Sequence, residues 1–336
     1  MQSIGMRYGR SFQLTVRDFI IATLACLAML GASIGAAAED YPSRPVRIIV
    51  PTGPGGGYDL MARLLAEQLS IHLGRSVYVE NKLGAGTVVG TQAAIAASSD
   101  GYTLLAGGLS NIVFNASLYR VAPYDPLKQL VPVAIVYRLS YMLIGSNETP
   151  FSNVKDVIAA AKAKPNTLNV ATAGVGTGQQ LTAVAFMKGT NTKLVEVPYK
   201  GATAVYPDLV AGRVDLFFDS ISVALPFVQS GKVKGFAVLA PHRSKGAPNV
   251  PTMEEAGVAG INVDSWIGLF APAGTPKLVI ERLQKEISDS APELTTKFSA
   301  SGAEYMWVPP ENLDNFVRAQ YDQWTKLIKE AGITAE

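Results

Sequence analysis

The sequence predicts an α/β fold in which short strands alternate with helices. Runs rich in β-branched residues recur along the chain, and segments with helical apolar spacing separate them. Two of the strands lead through glycine-rich turns, at residues 51–57 and 174–178, directly into a helix. Two strand–glycine–helix units that face each other would form a ligand cleft at the carboxyl ends of two sheets.

The first unit is the most informative. Val46–Val50 is an apolar run typical of a buried strand, and a Pro/Gly turn follows it. The next helix is indicated by apolar residues at helical spacing, at Leu60, Met61, Leu64, Leu65 and Leu69. Backbone N–H groups at such a helix N-terminus, together with the helix dipole, favour an anion.

The later elements follow from the same reasoning. Strands are predicted at residues 77–81, 102–108, 130–146, 169–174, 194–201, 214–220, 235–240 and 265–276. Helices are predicted after Gly90, and at residues 151–163, 178–186, 276–290 and 313–331, with Ser152 expected as an N-cap.

The long β-rich segments near Tyr137–Ile144 and Asp264–Phe270 are interpreted as two crossings between lobes. This interpretation places residues 39–141 and 265–336 in one lobe and residues 142–264 in the other.

Residues 1–38 have the features of a cleaved signal peptide. Arg7, Arg10 and Arg17 precede a mostly apolar run at residues 19–34, and small residues at Ala36 and Ala38 follow it. The run falls short of about 20 clean apolar residues, which argues against a membrane anchor. We therefore expect export, with cleavage near Ala38.

Removal of this segment changes the composition. The whole chain has 29 basic and 27 acidic residues, and the segment holds three Arg and one Asp, so 29 − 3 = 26 basic and 27 − 1 = 26 acidic residues remain. A net charge of zero offers no basic field for nucleic acid. Cys26, the single cysteine, would also be lost, which would exclude disulfides and thiolate chemistry.

Signatures of catalysis are sparse. The two histidines, His72 and His242, are distant in sequence, so neither a metal cluster nor a Ser–His–Asp triad is expected. Ser110, in GGLSN, lacks the second glycine of a nucleophile elbow. The sequence therefore predicts a protein without enzymatic activity, metal or cofactor. The competing hypothesis is a periplasmic hydrolase or isomerase that uses the same cleft.

The glycine turns do not match nucleotide-binding motifs. Tyr58 and Asp59 stand where a phosphate-binding loop would carry Lys-Ser/Thr, and the dinucleotide glycine spacing is absent. Asp59 is interpreted most simply as a helix N-cap or first-turn residue. Thr177 is interpreted as either a ligand donor or a helix cap.

Two further pairs of polar residues are ambiguous. Of Gln179 and Gln180, one is expected on the surface and the other has a possible role in the cleft. Alternation places Asp215 and Asp219 on one strand face, with Asp215 exposed and Asp219 at the strand end. Asp219 is expected either to bind a ligand amine or hydroxyl or to cap the next turn.

Several segments together resemble the Bug family, the extracytoplasmic receptors of tripartite tricarboxylate transporters. They are YPSRPVRIIVPTGPGGGYDLMARLLAEQL, NKLGAGTVVG, SSDGYTLL, VPYKGATAVYPDLVAGRVDLFFD and SWIGLFAPAGTP, and the similarity extends from Tyr41 to about Ile333. The resemblance implies a two-lobed, type II-like periplasmic binding protein with the ligand cleft between its lobes and two hinge crossings. Its ligand would be a small carboxylate, its partner a membrane permease, and its state a monomer. A receptor that feeds a two-component sensor is the alternative.

The resemblance also implies how the ligand is held. One carboxylate would lie between residues 52–59 and 174–180, bound largely by backbone amides and ordered waters. The predicted ligand-binding residues are Thr52, Gly53, Gly55, Gly56, Gly57, Tyr58, Asp59, Ser110, Gly174, Gly176, Thr177, Gln180, Tyr199 and Asp219.

This chain departs from the family pattern at four of its positions. The family often has Phe at Thr52, a small hydroxyl residue at Tyr58, Gly at Thr87 and His at Gln180. Backbone donors survive such changes, whereas the ligand specificity of the distal part of the pocket depends on them. Tyr58 is expected to narrow the cleft or to stack on an aromatic acid. We therefore expect a compact or flat carboxylate rather than bulky citrate.

Overall fold

The computed structural model describes residues 41–119, 121–261 and 263–331. Backbone contacts divide the chain into residues 1–43 and residues 44–336, and the account below concerns the second unit. The predicted signal segment and Cys26 lie outside the described residues.

The described residues confirm the predicted α/β class. Their strands are β1 (Val46–Val50), β2 (Val77–Asn81), β3 (Thr103–Gly108), β4 (Leu130–Gly145), β5 (Asn169–Thr172), β6 (Val195–Pro198), β7 (Leu216–Ser220), β8 (Lys234–Val238), β9 (Asp264–Pro272) and β10 (Glu304–Tyr305). Their α-helices are α1 (Gly57–Leu73), α2 (Val88–Ile95), α3 (Asn115–Leu118), α4 (Pro126–Gln129), α5 (Val154–Ala163), α6 (Gly178–Thr190), α7 (Tyr206–Val210), α8 (Ile221–Gln229), α9 (Lys277–Asp289), α10 (Ala291–Ala300) and α11 (Leu313–Ala331). A π-helical segment, Leu109–Phe114, follows β3.

The strands form two sheets that share β4. The first has the order β2-β1-β3-β9-β4, and β10 also pairs with β4. Within it β1 is parallel to β2 and β3, whereas β9 is antiparallel to both β3 and β4. The second sheet has the order β6-β5-β7-β4, and β8 also pairs with β4. There β5 is parallel to β6 and β7, and β4 is antiparallel to β7 and β8.

Strand β4 changes partners along its length. Residues 130–140 pair with β9, whereas residues 141–145 pair with β7 and β8. Because β9 pairs with the first part of β4 over its whole length, the chain has already returned to the first sheet when β9 begins. The change of partner therefore falls between Ser140 and Tyr141.

Each sheet has its own hydrophobic core. One buried cluster joins the first sheet to the π-helical segment and α11, and it includes Ile49, Phe114 and Phe270. The other joins the second sheet to α7 and α8, and it includes Ile144 and Phe217. Burial of apolar surface stabilises each cluster by roughly 25 cal/mol per Å² removed from water. The two cores are the physical basis of the two-lobed fold.

Several local expectations differ from the structure. The N-cap of α5 is Asn153 rather than Ser152, because the Asn153 side chain accepts a hydrogen bond from the Asp156 amide at 3.0 Å. Helix α8 was not predicted, since Pro226 stands inside it and its residues are apolar on most faces, which hides the helical period. Among the described residues, no helix is both long enough and apolar enough to cross a bilayer.

Close strand approach gives a test of the sheet that joins β4 and β9. A Cβ added to Gly268 would overlap the backbone oxygen of Ala134 on β4. We expect Gly268→Ala to lower the free energy of unfolding by about 3 kcal/mol, as overpacking does, measured by urea denaturation.

The matched control is Gly260→Ala. Gly260 has a φ of +78°, but no atom lies within 4 Å of an added Cβ. Its cost should be confined to backbone strain, about 1–2 kcal/mol. Equal destabilisation by the two variants would contradict the close approach of β4 and β9.

Candidate functional site

A cavity of about 390 Å³ lies where strands of both sheets end. Pro51 follows the last residue of β1, Ala173 follows the last residue of β5, and Ser220 is the last residue of β7; all three line the cavity. The carboxyl ends of strands are where α/β proteins bind ligands. The volume is in the range of small-molecule sites.

The cavity collects residues from both predicted glycine turns. The predicted site residues that line it are Thr52, Gly53, Gly56, Gly57, Tyr58, Ser110, Gly174, Thr177 and Tyr199. The predicted residues that do not line it are Gly55, Asp59, Gly176, Gln180 and Asp219. Of these, Asp59, Gly176 and Asp219 are buried, Gln180 is half-buried and Gly55 is exposed.

Asp59 organises the first turn from behind. Its carboxylate accepts hydrogen bonds from the Gly55 amide at 2.9 Å, the Arg63 guanidinium at 2.8 Å and the Asn81 amide at 2.8 Å. Burial acts to raise the pKa of Asp59, but these hydrogen bonds, that of Arg63 above all, outweigh it and the pKa is lowered. Asn81 also donates to the Thr52 carbonyl at 3.0 Å. The carboxylate and Asn81 therefore tie the turn to α1 and β2.

The second turn is held by Gln180. Its side-chain oxygen accepts a hydrogen bond from the Gly176 amide at 2.8 Å, and its amide nitrogen donates to Glu196 at 3.0 Å. Thr177 is the N-cap of α6, and its hydroxyl donates to the Gly174 carbonyl at 2.6 Å. Gln179, not Gln180, is the glutamine that lines the cavity.

Two helix N-termini point at the cavity. Gly57 and Tyr58, in the first turn of α1, line it, as does Thr177, the N-cap of α6. The first N–H groups of a helix have no acceptor within the helix, and the helix dipole places positive charge there. Both ends therefore favour a negatively charged group.

Ser110 connects the two helix ends. Its amide donates to the Tyr58 hydroxyl at 3.3 Å, and its own hydroxyl oxygen accepts a hydrogen bond from the Gly178 amide at 3.1 Å. Ser110 and Tyr58 are both buried. Burial raises the pKa of Tyr58, so this phenol stays neutral at physiological pH.

Sequence reasoning did not assign a third loop, residues 83–87, which also lines the cavity. A Cβ on Gly86 would overlap the backbone oxygen of Val175, so this loop touches the second turn. Asn115 donates to the Gly86 carbonyl at 2.6 Å and to the Thr87 hydroxyl at 2.8 Å. The glycines at positions 84 and 86, directly after β2, were the available sequence signal.

Asp219 is fully buried beneath the cavity wall. It accepts hydrogen bonds from Gln179 at 3.1 Å, Tyr206 at 2.8 Å and the Ser220 amide at 2.8 Å. Burial raises the pKa of Asp219 to about 6 despite these donors. Asp219 therefore positions Gln179 and Ser220, which do line the cavity.

The remaining wall is apolar or neutral, with one cation. The further lining residues not predicted from sequence are Pro51, Leu83, Gly84, Ala85, Gly86, Thr87, Leu139, Tyr141, Ala173, Gln179, Lys200, Gly201, Ala202 and Ser220. Lys200 is exposed, which places its charge at the cavity mouth. No acidic residue occurs among the lining residues, all of which are described. In the described part of the chain, no group of three or more His, Cys, Asp or Glu is arranged to hold a metal ion.

Comparison with known proteins identifies the family. Residues 61–333 match the family described as "Tripartite tricarboxylate transporter family receptor". The chain belongs to this receptor family. It is similar to Protein BugT of Bordetella pertussis, with 32% identity over 91% of this chain and 95% of that protein. It is also similar to the UPF0065 protein in the tcbD-tcbE intergenic region of Pseudomonas sp. (strain P51), with 34% identity over 95% of this chain and 96% of that protein.

Solved structures show the same fold. A protein of R. palustris solved with adipate has a TM-score of 0.83 and 32% identity, over 88% of this chain and 99% of that chain. MatC of Rhodopseudomonas palustris, solved with bound malate, has a TM-score of 0.80 and 30% identity, over 86% of this chain and 100% of that chain. The predicted resemblance to the Bug family is therefore confirmed, and the chain is a solute-binding receptor of the periplasmic binding protein fold.

Replacing Asp219 of the receptor should change how stability depends on pH. Because the pKa is raised from 3.8 to about 6 on folding, the native state binds this proton more tightly than the unfolded state does. This contribution to stability is full below about pH 4 and is lost as the pH rises through about 6. In Asp219→Asn that loss is absent.

The free energy of unfolding of the variant, minus that of wild type, should therefore rise by on the order of 2 kcal/mol between about pH 4 and pH 7.5. Urea denaturation across this range measures the difference. Asp322→Asn, at an exposed position on α11, is the control for the substitution itself. Parallel pH curves for wild type and Asp219→Asn would contradict the raised pKa.

Proposed function

We propose that this receptor captures a compact or flat carboxylate in the cavity between the two glycine turns and delivers it to a tripartite membrane permease. The observation that carries the proposal is the convergence of two helix N-termini, α1 and α6, on one cavity without an acidic lining residue. Neutral N–H donors hold an anion there without the desolvation cost of a buried ion pair.

Dicarboxylates are the class that we favour. Adipate and malate, the ligands of the two similar structures, are compact dicarboxylates. A carboxylate held by the turns would leave a second one near Lys200 at the mouth. Leu139 and Tyr141, which also line the cavity, offer apolar and aromatic surface for a hydrocarbon spacer.

The proposed location is the periplasm, after cleavage near Ala38, and the proposed working form is a monomer. The lobes would comprise residues 39–141 with 265–336 and residues 142–264. The change of partner in β4 between Ser140 and Tyr141 supports the first boundary. The pairing of β9 with the first part of β4 supports a second crossing just before β9 rather than within Asp264–Phe270.

Ligand capture without turnover agrees best with the cavity. Neither His72 nor His242 lines it, and the Ser110 hydroxyl accepts a hydrogen bond from a backbone amide. These observations support a binding role over the hydrolase or isomerase alternative. The choice between a permease and a two-component sensor as the partner rests on the family, whose members are transporter receptors.

Calorimetric titration tests the ligand class. We expect binding of at least one of succinate, adipate, malate, glutamate and terephthalate, and weaker binding of citrate. Gly56→Pro should abolish binding, because the substitution removes an N–H at the N-cap of α1. The fold should survive, since proline tolerates the φ of −81° that Gly56 adopts.

Far-UV circular dichroism and the melting temperature report whether the variant is folded. Tight binding of citrate alone would contradict the compact pocket, and unchanged affinity in Gly56→Pro would contradict the role of the first turn. Gly176→Pro would be a poorer test of the second turn. Gly176 has a φ of +77° and donates its amide to Gln180, so proline would distort the turn itself.

Closure of the lobes is tested at Gly86. A Cβ at this position would overlap the Val175 oxygen across the seam between residues 83–87 and the second turn. We expect Gly86→Ala to weaken ligand affinity about tenfold or more by obstructing closure. Small-angle scattering with and without ligand would show a larger radius of gyration for the liganded variant than for the liganded wild type.

The control is Gly74→Ala, at the C-terminus of α1. Its φ of +62° resembles the +56° of Gly86, but no atom lies within 4 Å of an added Cβ. It therefore reproduces the backbone strain without the overlap. Equal affinity in the two variants would argue against a seam at Gly86.

A further inference from the structure

Two buried hydroxyl oxygens on the cavity wall have no hydrogen-bond partner among the described residues. They are Thr52 Oγ1 and Ser220 Oγ. Both residues line the cavity, and Ser220 is only 1% exposed. Buried polar groups in native proteins nearly always have a partner, so an unpaired hydroxyl on a cavity wall is available to a water or to a ligand in the cavity.

The two hydroxyls lie close to the N-terminus of α1. A Cβ built on Gly57 would lie 3.3 Å from Ser220 Oγ, and one built on Gly56 would lie 4.0 Å from Thr52 Oγ1. Gly56 is the N-cap and Gly57 the first residue of the helix. A ligand carboxylate bound to these amides would therefore have both hydroxyls beside it, within reach of a substituent on its neighbouring carbon.

Local electrostatics decide which substituent fits. The Ser220 amide donates to the buried Asp219 carboxyl at 2.8 Å, and the Gln179 side chain, which also lines the cavity, already donates to the same carboxyl. A second carboxylate next to Ser220 would face this group at close range, which is unfavourable. A neutral hydroxyl, which both donates and accepts, satisfies Ser220 and Thr52 without added charge.

We propose that Thr52 and Ser220 form a hydroxyl-binding subsite, so that the receptor prefers carboxylic acids with a hydroxyl group on the carbon next to the captured carboxylate. The inference rests on the proposed function and narrows its substrate class to 2-hydroxy acids.

Matched pairs of acids test the subsite. Calorimetry compares succinate with malate, glutarate with 2-hydroxyglutarate, and 3-phenylpropionate with 3-phenyllactate on the wild-type protein. In each pair that binds, we expect the hydroxy acid to bind about tenfold more tightly. Thr52→Val and Ser220→Ala, singly and together, should bring that ratio close to one.

Ser222→Ala is the matched control. Ser222 is also buried, but its hydroxyl accepts a hydrogen bond from Tyr137 at 2.9 Å and the residue does not line the cavity. The preference for the hydroxy acid should survive this change. Melting temperatures confirm that each variant is folded, and the wild-type ratio tests the proposal without any variant.

The possible outcomes separate the two proposals. Equal wild-type affinity within every pair that binds would overturn the subsite but leave carboxylate capture intact. The same follows if Thr52→Val with Ser220→Ala weakens both members of a pair equally, because the hydroxyls would then hold the carboxylate itself. Failure of every acid to bind would overturn both the proposed function and the subsite.

Discussion

The first N–H groups of α1 and α6 need acceptors from outside the helical hydrogen-bond pattern, and in α6 the Thr177 side chain caps one of them, the Gln180 amide. Both sets of donors lie at one place, because the two helices begin at the same cavity. Ser110 satisfies one of these donors, the Gly178 amide, with its hydroxyl, and it holds Tyr58 of the other helix through its own amide. The donors of α1 remain directed at the cavity. In the proposed function, an anion there would complete the hydrogen bonding of the site.

Positioning two helix ends across one cavity requires two sheets at a defined separation. Strand β4 provides this, because its first part belongs to one sheet and its last five residues to the other. Each sheet has a separate hydrophobic core, so the two halves are packed internally, and β4 belongs to both of them. Rigid halves joined by a few backbone crossings are the arrangement that closes by hinge motion.

The sequence predicts the parts of the site that depend on local structure. The unit from Val46 to Leu69 has a strand pattern, a glycine turn and a helix pattern in succession, and the structure has all three. Residues placed by tertiary contacts were not predictable in the same way. Gln179 and Gln180 share one helical turn, and their tertiary contacts distinguish them: Gln180 is held by Gly176 and Glu196, whereas Gln179 donates to Asp219 and lines the cavity.

Burial on both faces of a sheet also limits what the sequence predicts, because alternation then does not show which strand residues face a cavity. Alternation indicates that Asp215 and Asp219 share a strand face, but β7 is buried along its whole length. Asp219 therefore lies beneath the wall, where it positions Gln179 and Ser220 instead of meeting a ligand itself. The loop at residues 83–87 reaches the cavity because Asn115 holds its backbone, a contact between distant parts of the chain.

The walls around the proposed anion are neutral, and this constrains how affinity arises. Burial raises the pKa of Tyr58 and of Tyr141, so both phenols keep their protons at physiological pH. The cation of the lining, Lys200, is exposed at the mouth, where solvent and salt screen it. Hydrogen bonds and helix dipoles inside the cavity are screened far less. In the proposed site, the interior would therefore select the carboxylate and the shape of its substituents, while Lys200 would add a weaker, salt-dependent attraction for a second charge.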